Sequence, residues 1–230
     1  MLFDLRSRGR RRTVRVVYAS LAVVMVVGLV GLGIGTGSTG GILNAGENGN
    51  SSGGGSSLAD QALKSSLAAV KKHPTAANWA TVMTDRWSVA NSGSNYSSTS
   101  GYSASGKKQL QYGADAWQSY LKLAGQKTGA TFLQSSFLAA ELYQNLQQWS
   151  NETEVWNLAA QATSGKQTLK PLLCLAYSAY AAKQTAKGDL AAAEAVKLLP
   201  KLQQLTEKST LKSASTSLNG AETGLVENSC

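Results

Sequence analysis

Cysteine, proline, histidine and phenylalanine are nearly missing from this chain: two, three, one and three among 230 residues. Two cysteines, Cys174 and Cys230, are too few for a disulfide framework. Cys174 sits in the apolar stretch PLLCLAY and reads as a small buried core residue. A bridge to Cys230 stays open for a chain outside the cytoplasm. One histidine and two distant cysteines offer no zinc spacing. His73, before a proline at a helix end, reads as a solvated or capping residue rather than a base. Carboxylates are sparse, and Glu152 and Glu154 read as first-turn charges at a helix N-terminus. The segment GLGIGTGSTGG mimics a phosphate-binding loop but lacks the strand–turn–helix context. These absences leave no cofactor site, no metal site and no catalytic constellation, so a non-enzyme is expected. Scarce proline beside many Ala, Leu, Gln and Lys favours helix throughout.

Charge is scarce too, at 15 % of residues, and unevenly placed. The net +9 concentrates first at the start, where six arginines stand against Asp4. From Leu58 to Cys230 there are 16 basic and 11 acidic residues, a mixed surface spread over 173 positions. Nearly all of those basic residues are lysine, which suits solvation better than bidentate phosphate reading. No dense basic stripe for nucleic acid results.

Residues 16–35 carry no charge and form one long apolar run. A helix needs about 20 such residues to cross the hydrocarbon layer. Signal-peptide apolar regions are shorter and end in a small-residue cleavage site, which is not found here. A retained transmembrane helix over 16–35 is therefore expected. The basic segment 1–15 stays on the cytoplasmic side, which puts the rest of the chain outside the cell membrane in a single pass. Arg10, Arg11, Arg12 and Arg15 are placed to hold anionic lipid headgroups, at about 1 kcal/mol each. Residues 36–57 follow as a Gly/Ser-rich linker, with eight glycines among 22 positions. Such a composition cannot bury enough apolar surface to order itself and behaves as a flexible tether.

Beyond the linker, helix signals recur over residues 58–207. Ser57 is placed to cap the first helix, whose stripe is Leu63, Leu67 and Val70, and His73-Pro74 ends it. Thr75 caps the next, with Trp79, Met83 and Ala90 on one face. The polar run 91–106 reads as a loop. Leu110, Ala114, Trp117, Leu121 and Ala124 step by 4, 3, 4 and 3 along an amphipathic helix. Leu133, Phe137 and Ala140 mark the following one, and Val155, Leu158, Ala159 and Ala162 the one after. Pro171 falls in a first turn, where proline is tolerated, and Pro200 should kink or split the last helix. Residues 208–230 read as a loose tail. The expectation is an all-α domain of about seven helices, stacked as antiparallel pairs because each has a wide apolar face.

The stretch AKGDLAAAEAVKLL resembles the middle of a tetratricopeptide repeat. In that family a Gly-Asp-aromatic turn joins two helices, and here Gly188, Asp189 and Leu190 take the turn and Ala193 the small position after it. Tyr177, Tyr180 and Ala181 fall where the family has Trp, Leu and Gly. Ala116, Tyr120 and Phe132 match small and large places of a more degenerate unit, and Trp79 the start of the first. The matching turn places Tyr102, Trp149 and Leu190 are 47 and 41 residues apart, longer than the family's period. The layout, opening with MLFDLR, also resembles a group of actinobacterial single-pass membrane proteins with a tethered repeat domain. Similar layouts occur in ancillary subunits of the Sec translocon and in membrane-tethered chaperones. The resemblance implies a TPR-like α-solenoid that binds polypeptide partners as a scaffold, with Trp79, Tyr177 and Tyr180 as candidates for its groove, and homo-oligomerisation open to it. A secretion-linked or translocon-associated holdase for unfolded clients is the alternative it implies.

Overall fold

The computed structural model describes residues 54–125, 127–217 and Cys230. The basic segment, the transmembrane helix expected over 16–35, the headgroup arginines and most of the linker lie outside these residues. Among the described residues no helix is long and apolar enough to cross a membrane.

Eight α-helices make up the described fold. They are α1 (Gly54–Lys72), α2 (Ala76–Ala90), α3 (Ala104–Leu123), α4 (Ala130–Asn145), α5 (Trp149–Gln161), α6 (Leu169–Ala181), α7 (Thr185–Leu198) and α8 (Lys201–Ser217). Each packs mainly on the helices before and after it in the chain, with α2 also touching α4 and α6 also touching α8. Short connections make consecutive helices antiparallel, and each helix from α2 onward buries its stripe between two neighbours.

Several boundaries follow from local chemistry that is legible in the chain. Thr75 caps α2, accepting a hydrogen bond from the Asn78 backbone N–H. Ser103 caps α3 in the same way through Gly106. Pro200 divides the last expected helix in two: α7 ends at Leu198, Leu199 turns extended, and α8 starts at Lys201. That break accounts for eight helices where about seven were expected.

Other expectations are corrected. Helix α1 begins at Gly54, so the linker ends earlier than Ser57, and Ser57 lies inside the helix rather than capping it. Leu63 and Val70 are buried but Leu67 is exposed. The polar run 91–106 contains a two-residue β-ladder, β1 (Tyr96–Ser97) with β2 (Gly101–Tyr102), and α3 starts within it at Ala104. Tyr102 is held there by its hydroxyl, which donates to Asn91. The tail is not loose over 208–217: α8 continues to Ser217 and buries Leu211 and Ala214.

The buried face of α4 is rotated from the expected one. Ala140 is buried and Leu133 half-buried as expected, but Phe137 stays exposed and Phe132, Ser136, Ala139 and Tyr143 are buried instead. Ser136 can be buried because its hydroxyl donates to the Phe132 carbonyl of its own helix. Phe132 stacks on Tyr120 and packs at a tilt against Trp117 of α3 in an aromatic cluster that joins the two helices. Ala116, Tyr120 and Phe132 are all buried at this seam.

The turns after α4 and α6 are the same turn. Gln148 N–H donates to Tyr143 and Gln147 N–H to Gln144; Gln184 N–H donates to Ala179 and Lys183 N–H to Tyr180. The pivot residues Gln147 and Lys183 both take a left-handed backbone, φ 56° and 61°. This bond pair is a standard helix C-terminal closure, here made without glycine. The pivots are 36 residues apart, and the pairs α4–α5 and α6–α7 are each joined by the same kind of turn. Of the expected turn places, Tyr102 precedes α3 by two residues and Trp149 follows the Gln147 pivot by two, so both lie at connections, whereas the place at Leu190 is wrong. Gly188 and Asp189 lie inside α7, Trp149 is the first residue of α5, Leu190 is exposed on α7, and Ala193 is exposed rather than buried in the small place.

Gly188 is required for a different reason. A Cβ there would stand 2.4 Å from the Tyr180 ring, so α7 approaches α6 through the missing side chain. Gly188→Ala is expected to destabilise the fold by about 1–3 kcal/mol through this overpacking. Urea unfolding measures it, and an unchanged midpoint would refute the close approach.

Candidate functional site

Helices α2 and α4 expose side chains along neighbouring grooves, and of α6 only Lys170 reaches them. Between α2 and α4 lies a groove of about 580 Å³. One wall is a stripe of small residues on α2, Ala77, Ala80, Thr81 and Thr84, ending at Trp87. The other wall, on α4, is Thr131, Gln134, Ser135, Leu138 and Glu141. Both stripes step by three and four, as one face of a helix does. A second groove of about 580 Å³ lies past α4, lined by Phe137, Gln144, Trp156 of α5, Lys170 of α6 and Cys230. Leu138 and Glu141 line both grooves, which are therefore neighbours along α4.

Glu141 is the polar centre of this surface. The Trp87 indole N–H donates to its carboxylate at 3.0 Å across the α2–α4 seam. Partial burial raises the Glu141 carboxyl above its ordinary value, against the lowering effect of that hydrogen bond. In the second groove Phe137 packs on Trp156 at 5.3 Å between ring centres, and the Lys170 ammonium lies 5.7 Å from the Phe137 ring. The Gln144 side-chain nitrogen is buried in this groove without a partner among the described residues. An exposed ring, a carboxylate and an ammonium donor suit a peptide: apolar contact for side chains, hydrogen bonds for backbone.

Under the second groove lie two features that sequence reasoning missed. Glu152 is fully buried, its Oε1 accepting from Trp156 and its Oε2 without a partner among the described residues. Burial raises its carboxyl to about 8. It stands in the first turn of α5 as expected, but buried and held as an acid, whereas Glu154 is exposed and pairs with Lys187. Cys174, buried in α6, is bonded to Cys230, a sequence separation of 56. Cys174 is thus both a buried core residue and half of a bridge.

The expected groove residues are not brought together. Trp79 is half-buried on α2, packed against the core. Tyr177 and Tyr180 are 3 % and 5 % exposed on α6, so their rings belong to the core. Their hydroxyls are used inside the fold: Tyr180 donates to Asp189 at 3.0 Å and Tyr177 to Glu207 at 3.4 Å. The residues that line the groove instead, Trp87, Phe137 and Glu141, carried no signal beyond exposure of an aromatic on a helix, because Trp87 and Glu141 meet across 54 positions. Among the described residues, no cluster of three or more His, Cys, Asp or Glu could hold a metal ion.

No protein-family model, no curated protein and no solved structure matches this chain.

Proposed function

We propose that this chain is a membrane-anchored, extracytoplasmic scaffold that holds an extended polypeptide along the neighbouring grooves of α2 and α4 without catalysing a reaction. The carrying observation is the pair of adjacent grooves that share Leu138 and Glu141, with Trp87–Glu141 between them and Phe137, Trp156 and Lys170 in the second. The two equal turns 36 residues apart support a TPR-like solenoid, in which alternate helices form a concave binding face. The apolar run 16–35 with its arginine flank supports the anchor and the orientation. The Cys174–Cys230 bridge supports the outer side, since such bonds persist in oxidising compartments.

A photoreactive amino acid at position 137, in the full chain in native membranes, tests this. A discrete polypeptide adduct is expected from position 137 and none from Leu123, an exposed position on α3. Glu141→Lys should weaken partner binding about tenfold, as expected for a central contact worth about 1.4 kcal/mol. Equal adducts from both positions would refute the groove. The exposed leucines Leu190, Leu202 and Leu205, the second of them 94 % exposed, favour a holdase as the second reading. Suppression of aggregation of several unrelated clients, with no stoichiometric complex, would decide for it.

A further inference from the structure

A separate cavity of about 370 Å³ lies between α6, α7 and α8, away from the groove. Its walls are apolar: Ala192, Ala193 and Val196 of α7 and Leu211 of α8. Its polar lining is already occupied. The Tyr180 hydroxyl donates to Asp189, and the Ser215 hydroxyl donates to the Lys212 carbonyl of its own helix at 2.8 Å. Burial and the Asp189 carboxylate both raise the Tyr180 hydroxyl, so it stays protonated and committed to that bond. Lys208 and Lys212 stand four residues apart on α8, on the side that faces the cavity, and their ammonium groups make no hydrogen bond or ion pair among the described residues.

This combination selects one kind of ligand. A peptide would leave its backbone N–H and C=O groups unsatisfied against the alanine, valine and leucine walls, at a cost of roughly 1–3 kcal/mol each. An alkyl chain has no such groups and gains about 0.8 kcal/mol for each methylene removed from water. The two free ammonium groups outweigh the one Asp189 carboxylate at the site, so the charged end must be negative. The volume lies at the small end of ligand sites, which fits one chain rather than two. The geometry points to a binding site for a single-chain amphipathic anion, an alkyl carboxylate, with its tail between α7 and α8 and its head at Lys208 and Lys212.

The test uses the purified full chain in lipid nanodiscs and a twelve-carbon carboxylate bearing a diazirine near its tail. Irradiation should label peptides of α7 and α8 containing Ala192, Ala193 or Val196. Excess dodecanoate should reduce that labelling at least tenfold, and dodecanol, which lacks the charge, should not. Lys208→Glu with Lys212→Glu should also reduce it at least tenfold; both side chains are exposed, and circular dichroism checks that the helices persist. Ala193→Trp, at an exposed position on the cavity wall, should abolish labelling by filling the space while leaving the lysines in place. Labelling confined to other segments, equal competition by dodecanol, or indifference to the charge reversal would each overturn the site.

Discussion

Replacing Cys230 by serine is expected to lower the stability of the helical domain by about 4 kcal/mol, from the chain-entropy cost of a loop of this length. The bridge closes a separation of 56 residues, so the loop spans α6, α7 and α8, the last helices described. Opening it leaves the folded packing of Cys174 nearly unchanged, because that side chain is already buried among apolar neighbours. The loss falls on the unfolded state, which regains the freedom that the cross-link removed. A domain of this size should melt roughly 8–16 °C lower. Cys174→Ala should behave alike, and dithiothreitol should shift the intact chain but not either variant. Identical melting of the native chain with and without reductant would show that the bridge contributes nothing. The same treatment tests placement: free thiols in the chain isolated from cells would argue for a reducing compartment.

The second large effect is a stability that declines as pH rises from acid to mildly alkaline. Glu152 holds its proton in the folded state up to about 8, whereas the unfolded chain loses it near the ordinary value of 4.5. Between those limits the folded state binds the extra proton, so stability falls with rising pH, by up to about 1.4 kcal/mol per unit. The contribution is complete below 4.5 and gone above about 8. The position of Glu152 in the first turns of α5 opposes this by only about 0.3–1 kcal/mol, the helix dipole's share. Burying an unpaired carboxylate costs several kcal/mol, so burial wins. Glu152→Gln removes the titration and keeps an oxygen for the Trp156 N–H. Native minus variant stability should therefore change by on the order of 5 kcal/mol between pH 4.5 and 8. Asp85 and Glu141, also raised by burial, titrate in both proteins and cancel in that difference. Urea midpoints that run parallel across the range would refute Glu152 as a buried acid.

Much of the architecture was legible in the chain because it depends on neighbours within one helical turn. Thr75 caps α2 through a residue three places on, Pro200 interrupts a helix by its own ring, and Leu110, Ala114 and Trp117 mark the buried side of α3 by spacing alone. Where two faces of a helix are similarly apolar, spacing loses its power. In α4 the choice between Phe132 and Phe137 was made by the aromatic cluster with Trp117 and Tyr120, which no local pattern reveals. Gly188 looked like a turn glycine, yet it serves the approach of α7 to the Tyr180 ring. The true pivots, Gln147 and Lys183, are long polar residues that seldom take a left-handed backbone.

By itself the amino-acid sequence determined that the chain is helical after residue 57, where several helices start and stop, and that one uncharged run precedes a glycine-rich stretch. These are consequences of propensity, capping and composition, all of which act over a few residues. Tertiary structure alone decided that Glu152 is buried, that Cys174 meets Cys230, that Trp87 reaches Glu141, and that Tyr177 and Tyr180 are spent on the core instead of a groove. Each of these joins groups on different turns or different helices. Burial and pairing of that kind depend on how whole helices stack, and the energy that selects one stacking is spread over side chains far apart in the chain.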